Sequence, residues 1–348
     1  MTLRSGPLRS VWVRLGAFLA VAVLSGCLPS SQRRTDRSVS AADSASAALA
    51  ETVPVDTLGV AWTARAPADD PMPMPSSLAW LGDTLAVVET QTGSVRWFGA
   101  EGAPLGRIRL PDQSYPYVAG ARGDTLVVLA RGAGELLWVT GGGVARRVSV
   151  PGATAALAAP GLLAVRLGGG PDTTEAGVAR LDERGAVLQA TPAPGPAWRS
   201  VGFLRALGDT VVALSGYRPV LDVFAPGARP DTLALVGFTS PQSVRSAQFM
   251  RGEAEEPPLL TSSAAFFEGS WYVLNLRSDH VRVDVYGRDG RLRRVLVSPG
   301  PWAPDGPVAL DLAVRERGGA VELAVLRALP PGLLRSPDAE VTVYRWAG

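Results

Sequence analysis

The chain repeats itself. Gly82-Asp83-Thr84-Leu85 recurs as Gly123-Asp124-Thr125-Leu126 and again as Gly208-Asp209-Thr210-Val211. In each copy a Gly-Asp turn opens onto aliphatic and β-branched residues, such as Leu85-Ala86-Val87-Val88, the pattern of a hairpin entering a strand. Weaker copies stand at Gly161-Leu162-Leu163, Glu268-Gly269-Ser270-Trp271 and Gly318-Gly319-Ala320-Val321. The leading glycines fall at 82, 123, 161, 208, 269 and about 318, in steps of 41, 38, 47, 61 and 49 residues. Four-stranded units of this length are the signature of propeller blades.

Each copy continues in the same way. A second alternating strand follows a short loop, as in Ser94-Val95-Arg96-Trp97-Phe98, then a turn, Ala100-Glu101-Gly102, then a third strand, Gly106 to Leu110. Val281 to Tyr286, Arg288-Asp289-Gly290 and Leu292 to Val297 repeat the order. With the strand that precedes each turn, such as Ser77-Leu78-Ala79-Trp80, every unit has four strands. The step of 61 carries a polar, Pro-containing insertion at about 239–258. No stretch beyond the N-terminus shows sustained helical periodicity, so the fold class is all-β. The last unit ends at Glu340 to Trp346 and lacks a fourth strand, while a free strand, Asp56 to Arg65, precedes the first. Pairing the two removes both exposed edges. The expectation is a six-bladed β-propeller of four-stranded blades, closed by an N-terminal strand that completes the last blade.

Leu276-Arg277-Ser278-Asp279-His280-Val281-Arg282-Val283, with Tyr286 and Asp289-Gly290, resembles six-bladed propellers of the NHL and TolB-like kind. Thr92-Gly93-Ser94-Val95-Arg96-Trp97-Phe98 with Glu101-Gly102 is a second match. The resemblance spans about 76–348 on short degenerate motifs. It implies a fold and no activity, because such propellers include enzymes, scaffolds and ligand binders.

The N-terminus reads as an export signal. Arg4, Arg9 and Arg14 precede the apolar run Leu15 to Leu24, and small residues follow. As a helix that run reaches about 15 Å, half of a bilayer's hydrocarbon core. Leu24-Ser25-Gly26-Cys27 resembles the lipobox of bacterial lipoproteins, which implies lipidation of Cys27, the single cysteine of the chain. An ordinary signal ending near a cysteine is the alternative. Leu28 at the following position favours the outer membrane by that family's sorting rule. The expected segments are a signal peptide at 1–26, a lipidated cysteine and flexible tether at 27–55, and a propeller at 56–348.

Composition narrows the chemistry. Without the leader, 31 basic residues face 32 acidic ones, so no nucleic-acid partner is expected. There is no lysine, which excludes Schiff-base chemistry and P-loop phosphate sites. His280 is the single histidine and is read as a loop residue. Neither a histidine zinc site nor a Ser-His or Cys-His nucleophile has support. Calcium needs only oxygen ligands, and related six-bladed lactonases hold it centrally with acidic and amide side chains. Asp311 is the clearest acid on a predicted inner strand, and Asn275 is the sole asparagine. Asp83, Asp124 and Asp209 are read as turn formers, and Trp97, Trp138 and Trp346 as core. A ligand site is expected at the channel mouth, where aromatic and Arg residues are the usual anchors. Its loop-borne candidates are Tyr115, Tyr117, Trp198, Arg199, Phe249, Arg251 and Trp302. The leading reading is a monomeric, envelope-anchored binding or scaffold module for a protein, peptide or glycan. Its rival is a calcium-type hydrolase or lyase with Asp311 as a metal ligand.

Overall fold

The computed structural model describes residues 46–67, 69–111, 115–168, 175–277, 279–299, 307–328 and 339–348. The expected leader, Cys27 and Trp302 lie outside them. Two strands come first, β1 (Val55–Thr57) and β2 (Gly59–Arg65). Blade one is β3 (Pro75–Leu81), β4 (Thr84–Glu89), β5 (Ser94–Phe98) and β6 (Pro104–Arg109). Blade two is β7 (Pro116–Arg122), β8 (Thr125–Ala130), β9 (Glu135–Thr140) and β10 (Gly143–Ser149). Blade three is β11 (Ala153–Ala159), β12 (Leu162–Gly168), β13 (Ala176–Leu181) and β14 (Val187–Pro192). Blade four is β15 (Leu204–Leu207), β16 (Thr210–Leu214), β17 (Val220–Phe224) and β18 (Asp231–Ala234). Blade five is β19 (Thr261–Phe267), β20 (Ser270–Asn275), β21 (Arg282–Gly287) and β22 (Leu292–Val297). Blade six is β23 (Val308–Arg317), β24 (Ala320–Ala328), β25 (Glu340–Trp346) and β2.

The repeated turn is a two-residue hairpin loop. Gly82 and Gly123 take φ of +57° and +63° in it, the left-handed region that primed hairpin turns demand at their first position. Each such turn delivers the chain into a blade's second strand, which is covered on both faces by neighbouring blades. Leu85 to Val88 and Leu126 to Val128 are completely buried, so these strands read as continuous apolar runs. The outer strands β6 and β14 are mostly exposed and read as alternating or polar. The innermost strands touch in a closed cycle, β3 to β7 to β11 to β15 to β19 to β23 and back to β3.

The N-terminal strand closes the ring as the sequence implies. β2 pairs antiparallel with β25, from Gly59 opposite Arg345 to Arg65 opposite Glu340. The expected single strand Asp56 to Arg65 is split, however. Val55–Thr57 instead pairs in parallel with β22, as a fifth strand on blade five. Leu58 is the cause. Its side chain is 1% exposed, sunk among Leu274, Val283, Leu296 and Leu323 between blades five and six. Its amide donates to the Val297 carbonyl at 2.8 Å.

Two further expectations need correction. The end of the supposed tether is docked on the propeller. Residues 46–50 form a helical turn, and Leu49, Ala50 and Val53 pack against Leu235, Phe238 and Leu292. The three aliphatic residues share one side, and Ser46 Oγ accepts the Gly237 amide at 3.0 Å. The insertion at about 239–258 contains an α-helix, α1 (Ser243–Arg251). Only Phe249 of its nine residues is buried, so it leaves almost no periodic apolar signal. Among the described residues no helix is long and apolar enough to cross a membrane.

Truncation separates the two N-terminal roles. A chain starting at Val55 keeps the ring and loses the partly buried side chains of Leu49, Ala50 and Val53, a melting-point drop on the order of 5 °C. A chain starting at Ala66 lacks β2 and is expected to lose its cooperative transition by calorimetry.

Candidate functional site

Because strands alternate in direction, the Gly-Asp turns gather at one end of the ring. The opposite end collects the blade-to-blade connections and the turns between second and third strands. The described ligand candidates lie toward this second end, and so does a groove between blades five and six.

Asp311 sits on innermost strand β23 with 1% exposure. One carboxylate oxygen accepts the Leu78 amide of blade one at 2.9 Å. The other accepts the Ser263 hydroxyl of blade five at 2.5 Å and its neighbour's amide, Leu312, at 2.9 Å. Arg205 of blade four stands 3.5 Å away. Arg205 in turn donates to Ser263 Oγ at 3.1 Å and to the Ala264 carbonyl at 2.5 Å. Burial raises the Asp311 carboxyl above the usual carboxylate range, against the pull of Arg205 and these hydrogen bonds. Both oxygens are therefore committed to donors beside a guanidinium. These surroundings fit a clasp between blades and do not fit a cation ligand.

Asn275 is held through its amide nitrogen, while its buried Oδ1 has no hydrogen-bond partner among the described residues. Its amide donates to the Thr239 carbonyl at 2.8 Å and to Asp284 at 3.1 Å, and Asp284 also takes Arg282 at 2.7 Å. Among the described residues no three His, Cys, Asp or Glu side chains are grouped so that they could hold a metal. His280 lies 3.0 Å from its neighbour Asp279.

The ligand candidates separate into different surroundings. Trp198 and Phe249 meet edge to face at 5.0 Å, and Tyr217 joins Trp198 at 6.4 Å. All three are buried, forming a small core under the blade-four connections. Arg199 lies beside it in a 3-10 turn (Ala197–Ser200), pairing with Asp222 and donating to Thr232 Oγ1 at 2.9 Å. Trp198 and Phe249 are thus packed into this small core, and Arg199 is held by Asp222 and Thr232 beside it. Phe249 and Arg251 are on α1 rather than in a loop, and exposed Arg251 pairs with Glu253 at 2.7 Å. Tyr117 is on β7, where Arg131 stacks over its ring at 5.5 Å. Tyr115 is 46% exposed at the connection into blade two, with a φ of +42°. The tryptophans read as core are buried or partly so: Trp138 is 7% exposed, and Trp97 and Trp346 pack against core clusters.

The sequence reading missed the groove. A cavity of about 540 Å³ opens between the ends of blades five and six. Its wall carries Thr63 and Arg65 from β2, Arg327 from β24, and Glu340, Thr342 and Tyr344 from β25. Glu340 is gripped from both sides, by Arg65 at 2.8 Å and by Arg327 at 2.5 Å. Thr63 and Thr342 hydroxyls lie 3.3 Å apart across the strand pair. The Arg65 side chain is 71% exposed and so keeps the freedom to reach a ligand. No local motif marks this site, since its walls come from positions about 275 residues apart.

No family model matches the chain, and no curated protein does. Solved structures do match in fold. Virginiamycin B lyase from Staphylococcus aureus aligns with 82% of this chain and 99% of its own, at 8% identity and a TM-score of 0.50. A streptogramin B lyase aligns with 82% of this chain and 98% of its own, at 10% identity and a TM-score of 0.52. Regucalcin from Agrobacterium tumefaciens, a calcium-binding protein, aligns over 84% and 95%, at 12% and 0.52. The fold is the six-bladed propeller. At these identities the likeness is one of architecture, and it transfers no site residue.

If Asp311 is a clasp, Asp311→Ala leaves the partly buried Arg205, the Ser263 hydroxyl and the Leu78 amide without their shared partner. That costs about 3–5 kcal/mol, read as a lower midpoint in urea. A chelator such as EDTA is expected to leave the wild-type melting point unchanged; a clear drop would restore the metal reading.

Proposed function

We propose that this chain is a lipid-anchored propeller of the cell envelope that acts as a binding module, with its ligand site in the groove between blades five and six. The groove carries the reading: an open cavity of about 540 Å³ lined by hydroxyls and by two arginines that converge on one glutamate. Such a wall offers many donors and acceptors at fixed spacing, the equipment for recognising a polar chain such as a peptide or glycan. Asp311, the acid that the sequence offers for hydrolytic or lyase chemistry at the axis, is engaged in holding blades together. The anchor rests on the sequence alone: the charged leader, the short apolar run, and Leu24-Ser25-Gly26-Cys27. Lipid on Cys27 places the protein on a membrane, with the outer membrane favoured by Leu28. The NHL- and TolB-like kinship belongs to the same reading and rests on the motifs around Asp279 and Gly93.

Two readouts test it. Cells fed a labelled fatty acid should label the wild type and not Cys27→Ser, which should move to the soluble fraction. The purified chain, screened against peptide and glycan arrays, should retain a ligand whose affinity falls at least tenfold in Arg65→Ala and Thr342→Val. Equal binding by those variants would remove the groove. Turnover of a lactone or ester by the wild type, abolished by a groove substitution, would replace the binding reading with an enzymatic one.

A further inference from the structure

Deep in the seam between blades three and four lies a second, enclosed space. Arg166 on β12 is 3% exposed and reaches across that seam, where its Nη1 donates to the Gly202 carbonyl at 2.7 Å. Gly202 is pressed onto blade four so closely that a Cβ there would stand 1.9 Å from the Leu214 carbonyl oxygen. Only glycine fits that approach. The other terminal nitrogen of Arg166, Nη2, has no partner within the protein, and neither has the hydroxyl of Ser200, which is 6% exposed. Both residues line one cavity of about 10 Å³, and Arg199, Ser215, Asp222 and Phe224 are also in its wall. That is room for roughly one water-sized ligand.

The electrostatics select among such ligands. Among the described residues no carboxylate stands within ion-pair distance of Arg166. Asp222, the carboxylate whose charge acts on it, is already engaged by Arg199 and by Thr232 Oγ1 at 2.8 Å. Burial draws the pKa of Arg166 down to about 10, which leaves it a cation at neutral pH. A cation removed from water without a close counter-charge is costly, and an anion relieves that cost more than a neutral molecule does. Two unpartnered donors on residues that line one small space complete the requirement.

We propose that this seam binds a single monovalent anion of halide size, held by Arg166 Nη2 and Ser200 Oγ and tying blade three to blade four. The site is separate from the groove and independent of what the groove binds. A carboxylate-bearing ligand is too large for the space. Chloride and bromide are the probes.

The test uses the full chain in detergent. At constant ionic strength, the melting point should rise with chloride or bromide concentration and stay flat in gluconate, as mass action requires of a ligand that binds only the folded state. The rise should vanish in Arg166→Met and weaken in Ser200→Ala. Crystals grown in bromide should show an anomalous peak beside Arg166 Nη2. Should Arg166→Met fail to fold, Ser200→Ala and the bromide peak still decide the matter. A melting point indifferent to the anion, a shift without a peak at the seam, or a peak without a shift (binding at crystal concentration only) would each overturn the proposal. The first of these would leave a buried water in the cavity.

Discussion

A ring of blades is stable only if its first and last members are joined, and here that joint is the pairing of β2 with β25. β2, from the N-terminal side, supplies the outer strand of a blade whose other three strands are the last in the chain. Without it β25 would present an unpaired edge. Trp62 on β2 then packs edge to face against Trp80 of blade one at 6.3 Å. Arg315 of blade six lies over the same Trp80 ring at 3.5 Å while pairing with Glu322 at 2.8 Å. At the axis Asp311 binds the first blade through Leu78 and the fifth through Ser263. The seam between last and first blades is thus held at its rim, its middle and its axis.

Similar ties recur around the ring. Ser77 Oγ accepts the Val118 amide at 2.7 Å, joining blades one and two. Arg122 donates to the Leu162 carbonyl at 3.1 Å, joining two and three. Arg166 and Arg205 do the same for the next two seams. Arginine suits this work because its planar fork bonds several carbonyls and carboxylates at once and keeps its charge when buried. In a chain without lysine, arginines supply these long basic links between blades. The consequence for function is direct: a rigid ring fixes the walls of the groove, because Arg65 and Glu340 lie on the paired closing strands themselves.

Much of this architecture was legible in the sequence, for a physical reason. Turn chemistry and strand alternation are local, so Ser94–Phe98, Leu292–Val297 and Glu340–Trp346 could be read at their observed bounds. α1 was not legible, because a helix with one buried residue carries no stripe. The break at Leu58 was not either, since only the neighbouring blades decide that this leucine must turn inward. The site was less legible still. Trp198 and Phe249 were singled out as ligand anchors and do converge, but in a buried cluster with Tyr217, because residue type alone does not report which side of a loop faces solvent. Asp311 was found as an acid on an inner strand, yet its partners at 78, 205 and 263 come from three other blades.

The most direct test of this account is the closing strand pair. Thr63 and Thr342 stand directly opposite in register, where Cα atoms of an antiparallel pair lie about 4.5–5.5 Å apart, a separation that a disulfide spans. In a Cys27→Ser background, Thr63→Cys with Thr342→Cys should oxidise fully under mild conditions and raise the melting point. Thr63→Cys with Arg345→Cys, out of register, should keep both thiols free. A first pair that stays reduced, or a second that links as readily, would mean that the N-terminal strand does not close the ring in this register.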